Sequence, residues 1–323
     1  MTDSEVHKPE MRSIINVVLV VFLTFVLPGV QWGLFGWLHV LLPLLSFFLL
    51  SRYGVHTGNR LLLSGLGLAF IIFLVLQRVD YFFLALSLVP MGYVLVRSVN
   101  RGESPATSGF KGSLTLVICS FVVFTALSTG SDVSLYSQLL ASLDEGITEA
   151  LEYYRTSGSI SGETLVLLEQ TLLQMKVIVP VIMPAILGSF VLLITWFTMV
   201  VGNRLVLKFC GIASWEKYSS WQLPEKLIWS VIIVGICALI PVHPIREIGM
   251  NSLILLSIVY CFQGLAIAVF FMDKWNVPIL FRSFIYVMIV FQSFGTVILL
   301  FFGLADIWFN FRKLHTEQDE TVN

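Results

Sequence analysis

Charge is what this chain has least of. Asp, Glu, Lys and Arg make up 12% of its 323 residues while 57% are hydrophobic, whereas about a quarter of a soluble domain is charged. A chain so composed does not dissolve as one globule. Its four cysteines, Cys119, Cys210, Cys237 and Cys261, include no close pair, so neither a disulfide framework nor a zinc site is indicated. Basic residues never run more than two in a row, which argues against a nucleic-acid partner. No HExxH, GxSxG or phosphate-cradling glycine loop occurs, and His39 and His243 stand apart. Nothing legible supplies a nucleophile and base, a metal, a cofactor or an ATPase motor, so an enzyme is not expected. A cleavable signal is not expected either, since MTDSEVHKPEMR mixes acids with bases and no small-residue cleavage site follows the first apolar run.

What is present is length without charge. Apolar runs fall at about 13–30, 34–50, 61–77, 81–97, 113–129, 177–201, 227–242, 248–272 and 283–303. A helix rising 1.5 Å per residue needs about 20 residues to cross a hydrocarbon layer of about 30 Å. The runs do not alternate as the short strands of a membrane β-barrel would. The expected fold is all-α: a polytopic transmembrane bundle of about nine spans, or eight if one is re-entrant, with an extracytoplasmic helical hairpin.

Positive charges settle the expected orientation. Lys8, Arg12, Arg52, Arg60, Arg97, Arg101, Lys111, Arg204, Lys208, Lys217, Lys226, Lys274 and Arg282 fall in one set of connections; the other set holds Arg78, Arg155, Lys176 and Arg246 among many acids. The first set, with the N-terminus, is expected in the cytoplasm. Nine spans would leave the C-terminus outside, against the pull of Arg312 and Lys313, so either 13–50 or 227–242 is the segment suspected of not crossing. The chain then divides into a cytoplasmic tail (1–12), a first set of membrane helices (13–129), an acidic outer hairpin (130–176), a second set (177–313) and a disordered tail (314–323). In the hairpin, Leu135, Leu139, Leu143, Ile147, Leu151 and Tyr154 share one helical face, and after TSGSISGE the pattern resumes at Leu165, Leu168, Leu172 and Met175. It reads as a connector resting on the bundle or as a docking surface.

Within the apolar runs, polar groups are the nearest thing to chemistry. Tyr260, Gln263 and Gln292 should point inward, either as glue between helices or as lining for a ligand, because exposure to lipid is costly. Arg78 and Asp80 are expected to pair with each other in the outer turn. Asp306, near the C-terminal end of an apolar helix where a carboxylate is unfavourable, calls for a basic or amide partner from another segment. Pro180 and Pro184, each lacking a backbone donor, predict a kink. Trp215, Trp221, Trp229, Trp308 and Arg312 fit anchors at the headgroup level.

Taken in order, LLPLLSFFLLSRYG, VRSVNRGESPATSGFKGS, VPVIMPAILGSFVLLITWFTMVVGNRLV, SSWQLPEKLIWSVI and GLADIWFNFR resemble the YybS-like family of predicted bacterial membrane proteins of unknown function, over about residues 35–313. That family is similar, distantly, to the substrate-capturing S subunits of energy-coupling-factor transporters. The resemblance implies a protein of the bacterial inner membrane with a ligand-binding ancestry, and no catalytic residues. S subunits have six spans and commonly an alanine-x-x-x-alanine notch; no two alanines here stand four apart. Two roles follow as expectations: capture of a small solute, alone or with a membrane-protein partner, or an envelope scaffold that recognises proteins through the outer hairpin or the Trp-rich loop.

Overall fold

The computed structural model describes residues 11–129, 134–157 and 162–312, which are mainly helical, with no strand among them. Residues 1–10, 130–133, 158–161 and 313–323 lie outside the described residues, and most of the expected cytoplasmic N-terminal tail and the expected disordered C-terminal tail fall there. In chain order the α-helices are α1 (Met11–Val30), the single turn α2 (Trp32–Phe35), α3 (Leu41–Val75), α4 (Val79–Leu86), α5 (Pro90–Asn100), α6 (Pro105–Ser128), α7 (Leu135–Ser157), α8 (Gly162–Cys210), α9 (Leu227–Leu239), α10 (Ile245–Lys274), α11 (Ile279–Phe291) and α12 (Ser293–Phe309).

Helix length does not bear out nine spans. Among the described residues five helical stretches are long and apolar enough to cross a membrane, or six if α11 and α12 count as one span. Three departures explain the difference. α9 has 13 residues, about 20 Å of helix, and α1 is also short of the length required. The runs at 34–50 and 61–77 belong to one stretch, Trp32–Val75, broken at Gly54, whose φ of 75° only glycine adopts readily. The two arms fold back on each other there, since Gly58 lies against the backbone of Leu49 and Leu50. The last run is broken at Gln292, where α11 and α12 meet at about 100°.

Burial by packed apolar side chains organises the rest. α1, α3, α4 and α5 enclose a core that includes Val21, Phe25, Phe47, Phe73, Met91 and Leu95, to which α6 adds Leu116 and α8 adds Met199 and Val206. Close approach depends on glycine in places: at Gly92 a Cβ would collide with Ser46, whose hydroxyl donates to the carbonyls of Pro43 and Val89. α8, 49 residues long, is the common wall: it packs on α3 and α6 on one side and on α10 on the other, with α9 beyond α10. α12 packs closely on α10: Thr296, Leu299, Gly303 and Asp306, on one face of α12, meet α10 between Tyr260 and Gly264.

α7 lies antiparallel on the first part of α8. Arg155 pairs with Glu169 and Lys176 with Asp144, and Ile147 and Leu151 of the apolar stripe are buried. Such exposed pairs contribute little each, about 0–1 kcal/mol; the stripe holds the contact.

Candidate functional site

One end of the bundle, where α8 finishes and α9 begins, is closed by the connection 211–226. Its shape comes from side chains that take up its backbone groups. Asn203 of α8 accepts from the N–H groups of Ser214 (2.8 Å) and Trp215 (3.0 Å) and donates to the carbonyls of Trp215 (3.0 Å) and Glu216 (3.2 Å). Trp215 is buried, stacked on Phe47 at 5.3 Å with its N–H on Ser108 Oγ at 3.1 Å. Trp221 crosses Trp215 and Tyr218 edge to face and donates to the Glu216 carbonyl. The Tyr218 hydroxyl donates to the Phe262 carbonyl at 2.6 Å, and burial pushes its pKa above the ordinary range, so it remains a donor.

Under this connection lies a chamber of about 540 Å³. Its walls are the start of α6 (Pro105, Gly109, Phe110), α8 (Leu192, Thr195, Trp196, Met199), α10 (Leu256, Val259, Phe262, Gln263) and the connection itself (Tyr218, Trp221, Leu223, Pro224). Ser104 caps α6 by accepting from the Thr107 N–H, and Pro105 occupies the first helical position, which sets this wall. Phe110 and Pro224, both exposed, flank the opening between α6 and α9. Among the described residues no Asp, Glu, Lys or Arg lines the chamber. Its polar groups are mostly occupied: Ser113 donates to Thr195, and Gln263 is held at both ends. The Trp196 N–H, beside the Tyr218 ring, is buried without a hydrogen bond of good geometry. Trp196 stacks on Phe262 at 5.2 Å.

Behind Gln263 is a buried charged clasp. Asn310 ends α12 in the left-handed region, a conformation Asn tolerates, and the chain turns back so that Phe311 N–H and Arg312 both reach Asp306. Arg312 Nη2 lies 2.8 Å from Asp306 Oδ2, with side chains 0% and 3% exposed. Gln263 donates to the same oxygen at 3.1 Å and accepts from the Leu223 N–H at 3.0 Å. Arg312 Nη1 donates to the carbonyls of Ser219 and Trp221. One ion pair thereby ties α12 to α10 and to the chamber's lid.

Several expected roles are corrected. Arg312 is no headgroup anchor but a buried tie, and Trp215 and Trp221 pack inside the lid because their rings find aromatic partners there. Trp229 and Trp308 are exposed, as anchors need. Gln292 is exposed at the break between α11 and α12 and lines nothing. Arg78 does not pair with Asp80: it donates to the Gly29 carbonyl at 2.7 Å and lies 5.0 Å over Tyr81, while Asp80 sits in the first turn of α4, where the helix dipole favours an acid. Tyr260 is 1% exposed, against α12 rather than the chamber, and its hydroxyl has no partner among the described residues.

Pro180 and Pro184 sit within α8, which continues past both. Pro184 cannot donate, and one residue on, Asn251 of α10 accepts from Ala185 N–H and donates to Val181 O, each at 2.8 Å. Those two groups would be partners in an unbroken helix, so the amide has entered the ladder of α8. Asn251, Asn203 and Trp196 were not singled out by the sequence, and Tyr218 was read only as an interfacial anchor, since ordinary polar residues and aromatics give no spacing signal for contacts about 10 to 70 positions away in the chain.

Helices of this length and greasiness, lapped around a chamber without a charge, define a multi-pass helical membrane protein in contact with the lipid bilayer. The chain belongs to the family described as predicted membrane protein DUF2232, whose model matches residues 14–307. No curated protein and no solved structure matches it.

Proposed function

We propose that this protein is a non-enzymatic component of the bacterial inner membrane that holds a neutral, largely apolar small solute in the chamber between α6, α8 and α10. The observation that carries this reading is the chamber: about 540 Å³, aromatic, free of charge, and covered by a connection tied down from three helices. That volume is in the range of small-molecule sites, about 300–1,000 Å³. A charged solute would enter without a counter-charge and lose its hydration, a cost of several kcal/mol; a neutral ring system loses little and gains the faces of Trp196 and Phe262. The resemblance to YybS-like proteins and, through them, to S subunits supports the same reading. An envelope scaffold is the second role, favoured by the exposed acids Glu145, Glu149 and Glu152 of α7.

Gly109 offers the test. A Cβ added there meets only Met199 Sδ, at 3.4 Å, so Gly109→Phe enters the chamber that Gly109 lines with no clash at its Cβ. Bromobenzene should quench Trp196 fluorescence in the purified protein, measured as the difference from Trp196→Phe, while bromobenzoate should not. Gly109→Phe should abolish the quenching. Equal quenching in Gly109→Phe and wild type would end the solute reading.

For topology, our reading is eight passes, by α1, the two arms of α3, α4 with α5, α6, α8, α9 and α10, the short α1 and α9 being accommodated by local thinning of the bilayer, followed by α11 and α12 as a re-entrant pair. Supporting it are the fold-back at Gly54, the sharp bend at Gln292 and the ties from Arg312 to the 211–226 connection. The C-terminus then shares the cytoplasmic side with that basic connection, which removes the conflict over Arg312 and Lys313. A single cysteine appended at the C-terminus of a cysteine-free variant should react with an impermeant maleimide only after the cells are opened.

A further inference from the structure

A second groove, of about 520 Å³, runs between α1, the first arm of α3 and α8, on another side of the molecule from the chamber. Val17, Val20, Leu41, Leu45 and Phe48 make it apolar, and at one end, two residues before the Gly54 break, stands Arg52, the one charged lining residue among the described residues. The guanidinium is packed among rings, 5.2 Å from the centroids of Tyr53 and Phe209 and 5.8 Å from Phe48. Lys208 lies 5.6 Å from the same Phe209 ring. Two cations thus converge on one aromatic side chain, and among the described residues neither is paired with a carboxylate. By contrast, Arg155, Arg282 and Arg312 each have one.

We propose that this groove is a binding site for an anionic phospholipid, one acyl chain lying along Val17, Val20 and Leu45 and the phosphate seated on Arg52 with Lys208 beside it. Ring stacking fixes the plane of a guanidinium while leaving its N–H edge free, and that edge matches two phosphate oxygens at once. The groove walls cannot select the occupant, because in a bilayer every acyl chain is as apolar as leucine. Selection must come from the head. A phosphate whose negative charge is cancelled by its own choline leaves both cations uncompensated, whereas phosphatidylglycerol, with a single net negative charge, offsets one of the two. This assignment is independent of the solute reading, since the two cavities share no residue.

The experiment is lipid competition on the full chain in detergent, read by native mass spectrometry, with phosphatidylglycerol and phosphatidylcholine of identical chains. Wild type should retain phosphatidylglycerol with a preference of about fivefold or more, the size expected of a single cation near a membrane surface. Arg52→Gln should reduce that preference toward one. Arg52→Lys should keep part of it, and Leu45→Trp should lower retention of both lipids by filling the groove. If Arg52→Gln does not fold, Lys208→Gln should still show a reduced preference. Equal retention of the two lipids by wild type, or an unchanged preference in Arg52→Gln, would overturn the proposal. Displacement of the bound lipid by glycerol phosphate would overturn it too, since the site would then be one for soluble phosphate.

Discussion

Removing Arg312 should unfasten the lid of the chamber. In Arg312→Ala the Asp306 carboxylate keeps the Gln263 amide and the Phe311 N–H but stays almost fully enclosed with its counter-charge gone, and the carbonyls of Ser219 and Trp221 lose their donor. Breaking a buried pair from one side costs about 3–5 kcal/mol, most of it the penalty of the charge left behind. The loss should therefore be largely recovered when the charge is removed as well. Asp306→Asn keeps the size of the side chain, and the double variant Asp306→Asn/Arg312→Ala contains no buried charge. Unfolding in mixed micelles, followed as the mole fraction of SDS rises, should place the double variant well above the sum of the two single losses, by a coupling of about 2 kcal/mol or more. Proteolysis within 211–226 should rise in the Arg312→Ala variant more than cleavage elsewhere, because the tie to this segment is the one lost. If the single losses add within about 0.5 kcal/mol, the usual tolerance for independent sites, Asp306 and Arg312 do not act as a pair and the clasp described here is wrong.

Other expectations follow from single contacts. Asn251→Leu should destabilise by about 1–3 kcal/mol, since it strands a donor and an acceptor of α8 inside the bundle, and SDS unfolding should show it, while Asn251→Asp should recover only the bond from Ala185. At Gly264 an added Cβ would run into the Leu299 carbonyl and at Gly303 into that of Tyr260, so alanine at either position should push α12 off α10 at a cost of about 1–3 kcal/mol; normal stability in both would contradict the close packing of the two helices. Lys111 and Ser98 hold the Glu103 carboxyl below its ordinary value of 4.5. Its contribution is then complete above that value and fades only as the pH falls through the lower folded value; carbon-13 NMR of labelled Glu103 should show the depressed titration, and Lys111→Met should raise it.

The class of this protein was written in its composition. Runs of Leu, Ile, Val and Phe uninterrupted by charge leave a backbone in lipid only one inexpensive way to satisfy its amides, and helices follow without reference to any neighbour. Local chemistry likewise marked one break, at Pro184 without its donor. The neighbours themselves could not be read this way. Whether Arg78 would meet Asp80 two residues away or Gly29 of α1, and whether Arg312 would reach outward to headgroups or inward to Asp306, are contests between partners far apart in sequence, decided by which helices pack together. The chamber is a property of that packing alone. It exists because the α6 start, α8, α10 and the 211–226 connection meet around a space that no side chain fills, and a one-dimensional pattern of apolar residues looks the same whether its faces close on each other or leave room for a guest.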